Sequence, residues 1–167
     1  YSLVDYDTVF KGLNAVSLQG SVLAPAQTSI TLLLDARKAP TLQLTNALVA
    51  DPAVSLDTLI RTQGVDATRD QAKALTPISR VFLAGLTQQF GPRWQAGLDV
   101  RWSTLSGTPA VGLLPEAPST GRIMTYTVQL IGNGLTTMQD ILVVGGSILR
   151  GKTTDAEQLN ATWRFSP

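Results

Sequence analysis

Two carboxylates recur in one setting: Asp35 in LLLDAR and Asp99 in GLDVRW, each with an arginine two residues on, Arg37 and Arg101. Carboxylates held roughly 5–9 Å apart serve as acid and base in glycoside hydrolysis, so these two are weighed first for catalysis. The arginines argue against it. On an extended chain residues i and i+2 share a face, and inward charges normally neutralise one another, so Asp35–Arg37 and Asp99–Arg101 are expected to pair across strands. Ser106-Gly107-Thr108 and Ser119-Thr120-Gly121 offer hydroxyls without a base, because the chain contains no histidine. Cysteine is absent too, which excludes thiol catalysis, disulfides, Cys/His metal sites and every histidine-based triad. Asp5 and Asp7 lack the glycine and distal glutamate of an EF-hand loop and read as a solvated turn. Gly-Lys-Thr-Thr at 151–154 ends like a phosphate-binding loop, but Gly145 and Gly146 have the wrong spacing and no helix follows. No enzyme activity, cofactor or metal is expected.

The elements that carry these residues alternate. Trp94, Ala96, Leu98, Val100 and Trp102 face away from Gln95, Gly97, Asp99, Arg101 and Ser103, the signature of a strand with one apolar and one polar face. With 79–90 and the turn Gly91-Pro92-Arg93 this forms a hairpin. The same pattern recurs at 14–23, at 30–37, at 122–131 and at 159–165. The run 140–150 (DILVVGGSILR) alternates least and is expected to be buried on both faces. Between Pro40 and Pro77 the period turns helical. Ser55 is a fair N-cap for a helix carrying Leu56, Leu59 and Ile60, and Asp66 for a second helix over 67–75. The stretch 41–49 is ambiguous between strand and helix. The insertion, about 41–77, is read as a packed surface excursion, with a lid or plug over a barrel mouth as the functional alternative.

Composition favours a wall over a globule. Apolar residues make up 44% and charged residues 15%, well under the usual quarter and poor for a water-facing surface. No run approaches the ~18 apolar residues of a spanning helix, so any membrane reading is a β reading. The net charge is +1, with nine arginines and four lysines scattered singly, which leaves no track for nucleic acid. The opening YSLVDYD has neither the basic nor the apolar region of a signal peptide, so an outer-membrane origin implies a mature chain or a segment of a longer one.

Loop lengths point the same way. In an up-and-down meander of these seven strands, the links at 24–28, 91–93 and 132–139 fall on one end, and those at 38–78, 104–121 and 151–158 on the other. Short links gather on the first end and long ones on the second, as periplasmic turns and extracellular loops do in outer-membrane barrels. Phe90, Trp94, Trp102, Trp163 and Phe165 lie near strand ends, where aromatic girdles meet the membrane interfaces; aromatics are also simply good strand residues.

Three segments, DARKAPTLQLTNAL (35–48), WQAGLDVRWSTLSGTPA (94–110) and TGRIMTYTVQLIG (120–132), resemble as a set the C-terminal β-barrel region of bacterial outer-membrane proteins with upstream tetratricopeptide repeats. The resemblance covers most of the chain and implies a role in export of polysaccharide or protein. No helical repeat is present, and Phe165 stands close to the terminal aromatic of barrel proteins, with Ser166-Pro167 after it.

The reading is therefore all-β: one domain over 1–167, an antiparallel up-and-down meander forming a transmembrane β-barrel or part of one, with a small helical insertion. Porin-like function in transport, export or surface anchoring in a bacterial outer membrane is expected. The lumen-lining candidates are Asp35, Arg37, Gln95, Asp99, Arg101, Gln129, Asn160 and Arg164, and the membrane-interface candidates Phe90, Trp94, Trp102, Trp163 and Phe165. Expected partners are membrane lipid, other barrel-forming chains or export-system components, and no nucleic acid. Seven strands miss the even bacterial count, so an eighth lies in 1–10 or the chain is part of a larger barrel. The alternative is a soluble β-sandwich or small barrel, secreted or periplasmic, acting as a binding or assembly module with Trp94, Trp102 and Trp163 in its core.

Overall fold

The computed structural model describes residues 1–165. Eight strands, each antiparallel to the next, form one sheet in sequence order: β1 Ser2–Asp7, β2 Gly12–Ala24, β3 Thr28–Lys38, β4 Ile78–Phe90, β5 Trp94–Leu105, β6 Ile123–Asn133, β7 Ile141–Arg150 and β8 Asp155–Arg164. β1 supplies the eighth strand and makes the count even. Asp7 closes its turn, with Oδ1 accepting from the amides of Val9 (2.8 Å) and Phe10 (2.9 Å). The sheet is open: β1 and β8 are both edges.

From β2 to β8 the strands run 10 to 13 residues, about twice the usual 5–6. Register carries the alternation across them. Directly paired residues share a face, so the hairpin pairs Phe82–Trp102, Ala84–Val100, Leu86–Leu98 and Phe90–Trp94 all stand on one side. β8 begins at Asp155 rather than near 159. Its acidic start reads as loop in sequence, yet Glu157 reaches Arg150 at 2.5 Å and the ladder starts at the Arg150–Asp155 pair. β7 is not buried on both faces; its residues are half-buried or exposed, because no other layer covers the sheet there among the described residues.

The seven links alternate between the two ends. The 39–77 and 106–122 excursions share an end, as expected, but so do the four-residue links 8–11 and 151–154. The opposite end carries 25–27, 91–93 and 134–140. Sorting by length is thus partial: both long links share an end, without that end being uniformly long.

The described hydrophobic core lies at this long-link end. Phe10, Leu42, Ala47 and Ala72 are buried together with Leu44 and Leu59 packed on them. The insertion comprises a 3₁₀ segment Leu44–Ala50, α1 Leu56–Gln63 and α2 Val65–Ala74. Ser55 caps α1, accepting from the Thr58 amide at 3.2 Å. Gly64, not Asp66, caps α2; its φ of 87° suits glycine, and Asp66 instead pairs with Arg69 at 2.8 Å. The ambiguous stretch 41–49 resolves into the 3₁₀ segment, held where Asn46 donates to Thr41 O (3.0 Å) and Thr76 Oγ1 (2.8 Å).

Candidate functional site: a two-faced sheet

All eight lumen candidates stand on one face. Asp35 and Arg37 on β3, Gln95, Asp99 and Arg101 on β5, Gln129 on β6, and Asn160 and Arg164 on β8 are linked through the ladder by shared register. Down the face from the long-link end, charge alternates in sign: Arg37, Asp35, then Arg101 one row lower and Asp99 below it. The row of Asp99 and the one below it are polar and carry glycines. One holds Thr31, Gly85, Asp99, Thr127, Ser147 and Gln158; the next holds Ser29, Thr87, Gly97, Gln129, Gly145 and Asn160.

The glycines in these rows make space for polar groups. A Cβ at Gly85 would lie 2.5 Å from Asp99 Oδ1, and one at Gly145 would lie 3.0 Å from Asn160 Oδ1. Each polar side chain lies across the neighbouring strand where that strand lacks a side chain. The face is not uniformly polar: Leu33, Val81 and Leu83 join Asp35, Arg37 and Arg101 around a groove of about 440 Å³ beside β1.

The expected Asp35–Arg37 pair forms, but within one strand rather than across strands, and the expected Asp99–Arg101 pair does not form. Arg37 bonds Asp35 within β3, through Nε to Oδ2 at 2.7 Å and through Nη2 to Oδ1 at 2.5 Å, a bidentate fork between i and i+2 neighbours. Across from Asp35 stands Val81, which offers no charge. Asp99 and Arg101 form no ion pair among the described residues; the Asp99 carboxylate lies over Gly85 instead. Asp35 and Asp99 are two strands and two rows apart, about 17 Å along the sheet, well beyond the spacing of a carboxylate pair. The hydroxyl motifs close loops: Ser106 Oγ accepts from the Ile78 amide (2.8 Å), Ser119 Oγ donates to Leu105 O (2.8 Å) and Thr120 Oγ1 accepts from the Leu105 amide (2.9 Å). Gly151 opens the β7–β8 turn, and its amide reaches Asp155 Oδ1 at 3.3 Å.

The opposite face is apolar and bare. One row across it reads Val22, Ile30, Leu86, Leu98, Val128 and Leu159, with Gly146 on β7, and every one of the six aliphatics is exposed. At the short-turn end a single row holds Phe90, Trp94, Gly132, Leu142 and Trp163, with Phe165 following β8. The Trp94 ring lies over Gly132, 2.8 Å from where a Cβ would stand. Trp102, the fifth interface candidate, lies beside Phe82 and Met124 towards the other end. None of the three tryptophans is fully buried, and Trp163 is 59% exposed.

Sequence reasoning missed Asp140. It is 1% exposed and closes the 134–140 turn, accepting from the Leu135 amide (2.7 Å), the Thr136 amide (2.9 Å) and Thr136 Oγ1 (2.7 Å). Burial pushes its carboxyl up. Hydrogen bonds from the Thr136 hydroxyl, the Thr136 and Leu135 amides and Trp163 outweigh that and hold it below the usual carboxylate range. Trp163, on the edge strand, makes the smallest of these contributions. The signal available was an aspartate directly after a polar turn and before an apolar strand.

Surface area measures how much is uncovered. A folded monomer of 17.8 kDa exposes about 8,000 Å²; this chain exposes 10894 Å², roughly 2,900 Å² more than its size requires. A standard protein contact covers only about 800 Å² per partner, so one such contact would leave most of the excess bare. No family model, curated protein or solved structure matches the chain.

Proposed function

We propose that the chain is wall of a transmembrane β-barrel in a bacterial outer membrane, serving passage, export or surface anchoring rather than catalysis. The observation that carries this reading is the bare apolar face, continuous over seven long strands and backed by a polar face. Burying such a face in hydrocarbon satisfies it without a second protein layer, and the paired strands satisfy the backbone. Dimensions agree. Trp94 and Trp102 are eight residues apart on β5, about 27 Å along the strand and about 21 Å across a bilayer at a tilt near 40°. The apolar band of such barrels is about 25 Å tall. Further strands pairing with β1 and β8 would close the wall, since an unpaired edge is not tolerated in lipid.

In this reading Asp35, Arg37, Asp99, Arg101, Gln129 and Asn160 line the lumen, and their mixed signs suit a polar solute or a sealed hydrogen-bonded interior. A second reading, a soluble assembly module covered by partner chains, draws support from the two open edges, which are templates for strand addition. Detergent dependence separates them. A barrel wall requires detergent or lipid to stay dispersed and migrates differently on gels before and after heating. A purified chain that is monodisperse in plain buffer would remove the membrane reading and leave the second.

A further inference from the structure

The apolar face ends differently at its two rims. At the short-turn rim the last row is aromatic and aliphatic: Phe90, Trp94, Leu142 and Trp163 around Gly132. At the long-link rim it is cationic. Arg80 and Thr104 are paired across β4 and β5, and Arg150 stands opposite Met124 one row lower. Arg122 and Lys152 lie just beyond the ladders; continuing the register one step past Ser103–Ile123 sets Arg122 beside Thr104, and two steps past Met124–Arg150 sets Lys152 beside Arg122. The Lys152 stem approaches Gly121, its Cβ 3.6 Å from where a glycine Cβ would stand. Arg150 is paired with Glu157 at 2.5 Å, and Asp155 also stands at this rim. Arg80, Arg122 and Lys152 are exposed and form no ion pair among the described residues.

A second observation lies directly below. A groove of about 300 Å³ runs down the apolar face, lined by Val16, Leu18, Leu34, Ala36 and Trp102, with Arg80 in its upper row beside Ala36. An apolar groove headed by an exposed guanidinium is complementary to a molecule with a hydrocarbon chain and an anionic head.

We propose that this rim binds the phosphate head group of an anionic membrane lipid, with an acyl chain lying in the groove. The inference rests on the membrane reading and adds to it a preferred lipid and a preferred leaflet. Guanidinium groups hold phosphate oxygens through paired N–H donors, and lysine adds a point charge. Each basic residue beside an anionic lipid surface strengthens binding about fivefold, so the three unpaired cations together contribute about a hundredfold. Among the described residues the opposite rim of this face carries a single exposed cation, Arg93, against three here, which directs the preference to one leaflet.

The test is flotation of the full chain with phosphatidylcholine vesicles, with and without phosphatidylglycerol, for the native sequence and for the triple variant Arg80→Gln, Arg122→Gln, Lys152→Gln. The native chain should bind the anionic vesicles about a hundredfold more tightly, with the excess lost in the variant and reduced by added salt. Arg93→Gln, in the short turn, should leave the preference unchanged. Equal binding of the native chain to both vesicles, with no salt effect, overturns the lipid site and leaves the membrane reading intact; this arm does not depend on the variant folding. Failure to bind either vesicle overturns both. Competition by millimolar inorganic phosphate as complete as that by anionic vesicles would assign the rim to free phosphate and likewise overturn the lipid site.

Discussion

Replacing Leu98 by arginine separates lipid from every other cover for the apolar face. Leu98 lies midway between Trp94 and Trp102 on β5, is 42% exposed, and is paired with Leu86 and Val128. In the membrane reading, with a tilt near 40°, each two-residue step along the strand changes depth by roughly 5 Å, which would put Leu98 about 10 Å in depth from either tryptophan and at the midplane. An arginine at the midplane of a barrel wall costs about 2–4 kcal/mol, falling to about 0–1 near the interfaces. Leu98→Arg should therefore cost about 3 kcal/mol, Ala96→Arg and Val100→Arg less, and Phe90→Arg under about 1 kcal/mol. Urea unfolding in phosphatidylcholine vesicles, followed by tryptophan fluorescence, reads these differences, since the four positions spare all three tryptophans. Were the face open to water, each change would stay within about 0.5 kcal/mol. Were it covered by protein, costs would follow local packing rather than depth. A flat profile, or a Leu98→Arg cost no larger than that of Phe90→Arg, refutes the reasoning.

Two further outcomes follow from particular contacts. Asp140 has a folded-state carboxyl pKa below its ordinary value, so its contribution is present above the unfolded pKa of about 3.9 and is lost as pH falls through the lower folded value. Unfolding midpoints should therefore drop on acidification below pH ~4, and Asp140→Asn should lower the midpoint at neutral pH and flatten that acid limb; an unchanged limb would separate Asp140 from it. Gly85→Ala should be tolerated within about 1 kcal/mol, because the obstructing atom is the end of the Asp99 side chain. Gly145→Ala should cost more, about 1–3 kcal/mol, because Val128 O, a backbone atom, also lies 3.0 Å from the added Cβ; thermal melts that rank the two in the opposite order would count against the register assigned to β6 and β7.

The strands were legible because alternation is a local property: it needs only a run of side chains pointing up and down in turn. For that reason 30–37, 79–90 and 94–103 correspond to β3, β4 and β5, and all eight lumen candidates stand on one face. Ser55 as the cap of α1 was legible for the same reason, since a cap bonds within three residues. Legibility stopped where a residue's role is set by a distant strand. Asp155 and Glu157 look like loop residues until Arg150 and the β7 ladder lie beside them. Arg80 shares its parity with Phe82 and Ala84, which signals a charge on the apolar side, but only the register with Thr104 places it at a rim.

Composition and period by themselves determined an antiparallel β-sheet with one apolar and one polar face, interrupted by a helical insertion, and excluded histidine and cysteine chemistry. Tertiary structure decided that the described residues form eight strands, that the sheet is open, that Asp35 bonds its own strand's Arg37 while Asp99 lies over Gly85, and that Asp140 closes the 134–140 turn. Face is fixed by parity along one strand, whereas pairing depends on which residue of another strand arrives opposite. That is set by register and turn length acting over the whole sheet.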